Sequence, residues 1–145
     1  MKNQLISLIV GALFAGCALA EELGIVTPEQ LLDMQKNRNA LVVDVRTSAE
    51  WQASGVIAES YKLQAFDGNG QFDRDKWLSS LQQLKSSPDQ PVILVCRSGN
   101  RSGKVGEMLT KQLGMNNIYH LPNGIDGWFR SGRPLIPNCL QVACK

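Results

Sequence analysis

Cys96 ends the apolar run Val92-Ile93-Leu94-Val95 and opens the loop Cys96-Arg97-Ser98-Gly99-Asn100-Arg101-Ser102, after which a helical pattern begins. A strand, a tight loop and a helix N-terminus, with sulfur at the first loop position, are the parts from which proteins build a reactive thiolate. The amides of such a loop point inward, the helix end carries partial positive charge, and Arg97 and Arg101 add full charges. A free thiol titrates near ~8.5, and surroundings of this kind bring it to roughly 3.5–7.5. The same cradle attracts an anion, as helix N-termini do. Cys96 is therefore the candidate nucleophile, and Arg97, Ser98, Gly99, Asn100, Arg101 and Ser102 are the candidate substrate-binding residues. A cysteine kept only for packing at a strand end needs neither two arginines nor a Ser-Gly-Asn turn.

The remaining chemistry-bearing residues are less informative. Asp44 and Arg46 follow a second apolar run; we read them as a brace for loops at the sheet edge, with solvated loop charges as the alternative. His120 is the single histidine and reads as a strand residue without a catalytic role, and Trp128 reads as core. Asp67-Gly68-Asn69-Gly70-Gln71-Phe72-Asp73 has oxygen side chains at alternate positions, like a calcium loop. Its sixth position is Phe72 where glycine is needed, and its twelfth is Leu78 in place of glutamate. A surface turn is the better reading. One histidine and one close cysteine pair do not make four zinc ligands, so neither a metal nor a cofactor is expected.

These residues need a frame. Thr27-Pro28-Glu29-Gln30 is a helix start, with Thr as N-cap, Pro at N1 and Gln at N3, and the helix should end near Asn37. Leu41-Val42-Val43-Asp44-Val45 is a strand buried on both faces. Ser48 is read as the cap of a brief helix that stops at Gly55, and residues 60–64 as a short strand. Asp73 caps a helix through Trp77, Leu78, Leu81 and Leu84. The helix after the cysteine loop is expected over 102–113, with Gly114 as its C′ residue. A strand over 117–121 and a last helix over 125–130 follow. Strands alternating with helices predict an α/β fold with a mostly parallel central sheet flanked by helices. In such sheets ligands bind beyond the carboxyl ends of the strands, where Cys96 lies.

The first twenty of the 145 residues read as a leader: Lys2, an apolar stretch from Leu5 to Leu19, and the cleavage pattern Ala18-Leu19-Ala20. That stretch is short for a membrane span of about 20 residues. The expectation is export, most simply to a bacterial periplasm. Phe14-Ala15-Gly16-Cys17 also resembles a lipobox, which leaves lipid anchoring through Cys17 as the alternative. Residues 21–145 then form one domain with a tail over about 136–145. Lys2 is the leader's only charge, so the net charge falls from +2 to +1, and nothing points to nucleic acid. In an oxidising compartment Cys139 and Cys144 could pair or stay free. A bridge closing a loop of about six residues contributes only ~2 kcal/mol.

Taken together, the chain resembles the rhodanese family over nearly all of residues 21–145. The resemblance rests on Asp44-Val45-Arg46 with Glu50-Trp51 downstream, on the loop from Cys96 to Arg101, and on Asn123-Gly124-Ile125-Asp126-Gly127-Trp128 with Gly132-Arg133-Pro134-Leu135. It departs at Gly55-Val56-Ile57, where the family usually has Gly-His-Ile, and at Asn123-Gly124, usually Gly-Gly. The resemblance implies a single domain with a catalytic cysteine after a central strand. Phosphatase relatives place five residues between Cys and Arg, whereas four separate Cys96 from Arg101. The shorter Cys-Arg-x-Gly-x-Arg loop is similar to that of thiosulfate sulfurtransferases. The implied partners are a small sulfur donor and an acceptor, either a small molecule or a protein thiol, acting on a monomer. Two other classes stay open: a persulfide carrier docking on a partner protein, and a thiol redox module.

Overall fold

The computed structural model describes residues 21–138, and the expectations for residues 1–20 (Cys17 included), Cys139 and Cys144 lie outside them. The elements in chain order are β1 (Gly24–Ile25), α1 (Pro28–Arg38), β2 (Leu41–Asp44), α2 (Ser48–Ser54), β3 (Tyr61–Lys62), α3 (Arg74–Leu84), β4 (Val92–Val95), α4 (Asn100–Glu107), β5 (Ile118–His120) and α5 (Gly124–Arg130). The five strands make one sheet in the order β1-β5-β4-β2-β3, and every pairing is parallel. The α/β fold with its parallel sheet is as expected.

The two central strands carry the frame. β2 and β4 pair from Leu41 opposite Val92 to Asp44 opposite Val95, and all eight residues are buried. Side chains alternate across a strand. Leu41, Val43, Val92, Leu94 and Cys96 therefore pack on one side with Trp77, Leu81, Val105, Met108 and Leu109. Val42, Ile93 and Val95 pack on the other with Leu31, Met34, Ile125 and Trp128. The result is three layers, with α3 and α4 on one face and α1 and α5 on the other. Each fully buried aliphatic side chain contributes about 1.5–3 kcal/mol. Both faces being covered explains why these strands read as unbroken apolar runs.

Local signals set most helix starts. Thr27 Oγ1 accepts from the Gln30 amide at 3.2 Å while Gln30 Oε1 accepts from the Thr27 amide at 2.8 Å, the reciprocal pair that closes a capping box. Asp73 accepts from the Lys76 amide at 3.2 Å to start α3. Other boundaries differ from expectation. α2 is capped by Thr47, not Ser48, because only Thr47 has a glutamate three residues on to close the box. The strand expected over 60–64 shrinks to Tyr61–Lys62 at the sheet edge. β1 is two residues long, too short for any periodicity to announce. α4 begins at Asn100, two residues early, and passes into a π turn at Met108–Gln112. That turn is closed by the Leu113 amide donating to the Met108 carbonyl at 3.2 Å, and Gly114, at φ +62°, follows it.

Candidate active site

The register puts Asp44 and Val95 side by side at the carboxyl ends of β2 and β4, so the loops after both strands open at one edge. Cys96 is the first residue beyond β4 and only 1% exposed. Its Sγ accepts a hydrogen bond from the Gly99 amide at 3.1 Å. Gly99 is the N-cap of α4 and has φ +94°. A Cβ there would collide with the carbonyl oxygen of Pro122, so only glycine fits. Ser102 in the first turn of α4 is fully buried. Its Oγ lies 3.4 Å from Cys96 Sγ and 3.2 Å from the Gly99 carbonyl.

The start of α5 holds the same loop from behind. The Ile125 amide donates to the Cys96 carbonyl at 2.9 Å, and the Asp126 amide to the Arg97 carbonyl at 3.0 Å. Gly124 has φ +52°, and a Cβ there would run into both carbonyl oxygens. With its carbonyls turned toward α5, the loop presents an amide to the sulfur. This is the arrangement that stabilises an anion at the loop centre.

The two arginines do different things. Arg101 is half-buried, and its guanidinium forms a two-pronged pair with Glu50: Nη1 to Oε2 at 2.8 Å and Nη2 to Oε1 at 2.6 Å. Those bonds, helped by the Thr47 amide, bring the Glu50 carboxyl down to about 2 against the opposing effect of burial. Arg101 is correspondingly harder to deprotonate, first through its bonds to Glu50 and then, more weakly, through its proximity to Cys96 and Asp44. Arg97 extends into solvent, 71% exposed, with Nε 3.8 Å from the Asp126 carboxylate. Ser98 and Asn100 are exposed along the rim.

Asp44 and Arg46 lie beneath the rim, 1% and 2% exposed. Arg46 donates to Asp44 through Nε and Nη2 at 3.0 and 2.8 Å, to Ser54 Oγ at 2.7 Å and to the Gly55 carbonyl at 2.7 Å. The pair ties the end of β2 to the end of α2, whose first turn carries Glu50.

Residues 27–131 match the rhodanese-like domain family. The chain belongs to that family. A thiosulfate sulfurtransferase GlpE of Actinobacillus succinogenes is 29% identical over 110 residues, covering 76% of this chain and 87% of that protein. The crystal structure of Rv0390 from M. tuberculosis is 30% identical, covers 77% of this chain and 95% of its own, and superposes with a TM-score of 0.61. The homodimeric polysulfide-sulfur transferase of Wolinella succinogenes, 21% identical with a TM-score of 0.59 over 85% of each chain, shares the fold.

In this rhodanese domain the structure gathers Cys96, Gly99, Arg101 and Ser102 at one point and leaves Arg97, Ser98 and Asn100 at its rim. Sequence reasoning gave no site role to Glu50, to Pro122 and Gly124, or to the link between Ser102 and His120. Glu50 was open to discovery, because a Thr47-x-x-Glu50 box predicts an ordered carboxylate. The others depend on strand order, which places β5 beside β4. Among the described residues no group of His, Cys, Asp and Glu could hold a metal ion, and no helix is long and apolar enough to cross a membrane.

Proposed function

We propose that this rhodanese is a sulfurtransferase that moves a sulfane sulfur from thiosulfate to a thiophilic acceptor through a Cys96 persulfide. The observation that carries the reading is the Cys96 sulfur held at the head of α4 with the Gly99 amide donating to it at 3.1 Å. The thiolate attacks the outer sulfur of thiosulfate, the S–S bond breaks, and its electron pair leaves on sulfite. A Cys96 persulfide remains. Cyanide or a thiol then takes the outer sulfur and returns the thiolate. Covalent catalysis of this kind gives ping-pong kinetics.

The loop amides cradle the transferred sulfur, and Arg97 at the mouth meets the dianion. Arg101 contributes its charge from where Glu50 holds it, and keeps the first turn of α4 in place. Export to the periplasm, with Cys17 lipidation as the other route, remains part of this proposal. Intact mass before and after thiosulfate, with cyanide added last, tests it. One sulfur gained and then discharged by cyanide supports the cycle, and Cys96→Ser should fold and gain none. A wild-type protein that gains no sulfur rejects thiosulfate as donor and favours the carrier reading. The starting mass reports leader cleavage or a lipid.

A further inference from the structure

His120 was expected to be inert, yet it stands one hydroxyl away from the nucleophile. β5 lies beside β4 with His120 in register with Leu94, two residues before Cys96. The imidazole turns toward α4 and lies against Gly103, where a Cβ would sit 3.5 Å from the ring. Its Nδ1 is 3.4 Å from Ser102 Oγ, and that oxygen is 3.4 Å from Cys96 Sγ. Ser102 thus has one proton and three acceptors within reach: Cys96 Sγ, the Gly99 carbonyl and His120 Nδ1. A hydroxyl rotates to suit its partners, so what His120 does with its own proton decides where the hydroxyl points.

We propose that His120 is a positioning residue for Cys96, acting through the Ser102 hydroxyl. With the ring neutral and Nδ1 accepting, Ser102 donates to His120 and its oxygen lone pair faces a Cys96 S–H. With Nδ1 protonated, the ring donates to Ser102 and the hydroxyl proton is free to turn to the sulfur, where it solvates a thiolate. One arrangement converts to the other when the thiol proton passes to Ser102 Oγ as the hydroxyl's own proton passes to Nδ1. Sulfur becomes the anion, the ring the cation, and Ser102 stays neutral.

The surroundings favour the neutral ring. Burial makes His120 harder to protonate than an ordinary imidazole, and the Glu107 carboxylate on α4 works the other way. The flanking strands contribute no titratable group, since β1 is Gly24–Ile25 and β4 is Val92–Val95. The ring therefore takes up its proton at lower pH than an ordinary imidazole does.

The proposal rests on Cys96 being the nucleophile of the sulfur transfer, but its test does not need that transfer. Carboxymethylation of Cys96 by iodoacetate, followed by peptide mass mapping, is measured between about pH 4.5 and 9, a range that spans the imidazole titration. Thiosulfate loading is followed over the same range. The wild-type profile should carry a step below the ordinary imidazole titration. Glu107→Gln, on the protein surface, should move that step to lower pH. His120→Gln and Ser102→Ala should abolish it and change the rate at neutral pH by roughly 2- to 12-fold, the factor of one hydrogen bond of ordinary net strength. A step that survives in His120→Gln or stays put in Glu107→Gln, or a wild-type profile without one, overturns the proposal. If the step behaves as expected and thiosulfate adds no sulfur, His120 keeps its role and the assigned donor is wrong.

Discussion

The pair between Glu50 and Arg101 joins the helix after β2 to the helix after the cysteine loop, and Glu50→Gln tests it with little change of shape. Two charge-assisted bonds of 2.6 and 2.8 Å would be lost or weakened. Both side chains are still about a quarter exposed, at 26% and 27%, so solvent screens the pair and ~1 kcal/mol is the expected loss of stability. The sign with pH is fixed by the carboxyl titrating at about 2 in the folded chain against an ordinary 4.5. A depressed carboxyl stabilises the fold above the unfolded value, and that contribution fades as pH falls through the window from 4.5 toward 2.

Urea unfolding of wild type and Glu50→Gln at neutral pH and at about pH 3 reads this directly. The gap in midpoint should be plain at neutral pH and reduced by more than half at the lower value, because most of the linkage lies above it. Arg101→Leu alone and combined with Glu50→Gln completes a double-mutant cycle, and the coupling should account for most of the loss. A gap that does not shrink with acid, or a cycle without coupling, would refute the assignment of this pair as the tether. The Cys96 loop should loosen with it, so thiosulfate loading at neutral pH should slow in the same variants.

Arg46→Met leaves the Asp44 carboxylate buried without its partner and should cost about 3–5 kcal/mol in chemical denaturation; adding Asp44→Leu should recover part of it. Gly124→Ala forces a side chain into left-handed backbone against two loop carbonyls, and should lower stability by about 1–3 kcal/mol while reducing Cys96 loading. Arg97→Ala should raise the thiosulfate KM by roughly 5- to 10-fold at low salt with kcat little changed, and the difference should shrink as salt screens the exposed charge.

The parts of this molecule that sequence reveals are those set by near neighbours along the chain. The buried runs of β2 and β4, the capping box at Thr27, the Asp73 cap and the cysteine loop each depend on a few adjacent residues. Failures occur where pairing across the sheet decides. Gly24–Ile25 becomes a strand only because β5 offers an edge, and residues 60–64 keep only two strand positions beside β2. The pairing of Arg101 with Glu50 is hidden for the same reason. Two arginines in one loop look alike in sequence, and only the approach of α2 shows that one is engaged by Glu50 while the other stays in solvent.

That division has a chemical consequence. A guanidinium free to close over the sulfur would compete with an incoming dianion for room and hold the departing sulfite in place. In the transfer proposed above, a guanidinium fixed by Glu50 would supply a steady field and leave the approach of the donor to Arg97. The loop's own geometry is likewise imposed from outside it. The start of α5 takes the carbonyls of Cys96 and Arg97, and Pro122 leaves room only for glycine at 99, so the Gly99 amide has little choice but to face the sulfur. Peptide planes held by a neighbouring helix cannot turn their carbonyls inward when the sulfur is neutral, and so need no reorganisation when it becomes charged. Preorganisation of this kind is where electrostatic stabilisation gains its strength, and in this chain the residues that enforce it lie more than twenty positions beyond the cysteine they serve.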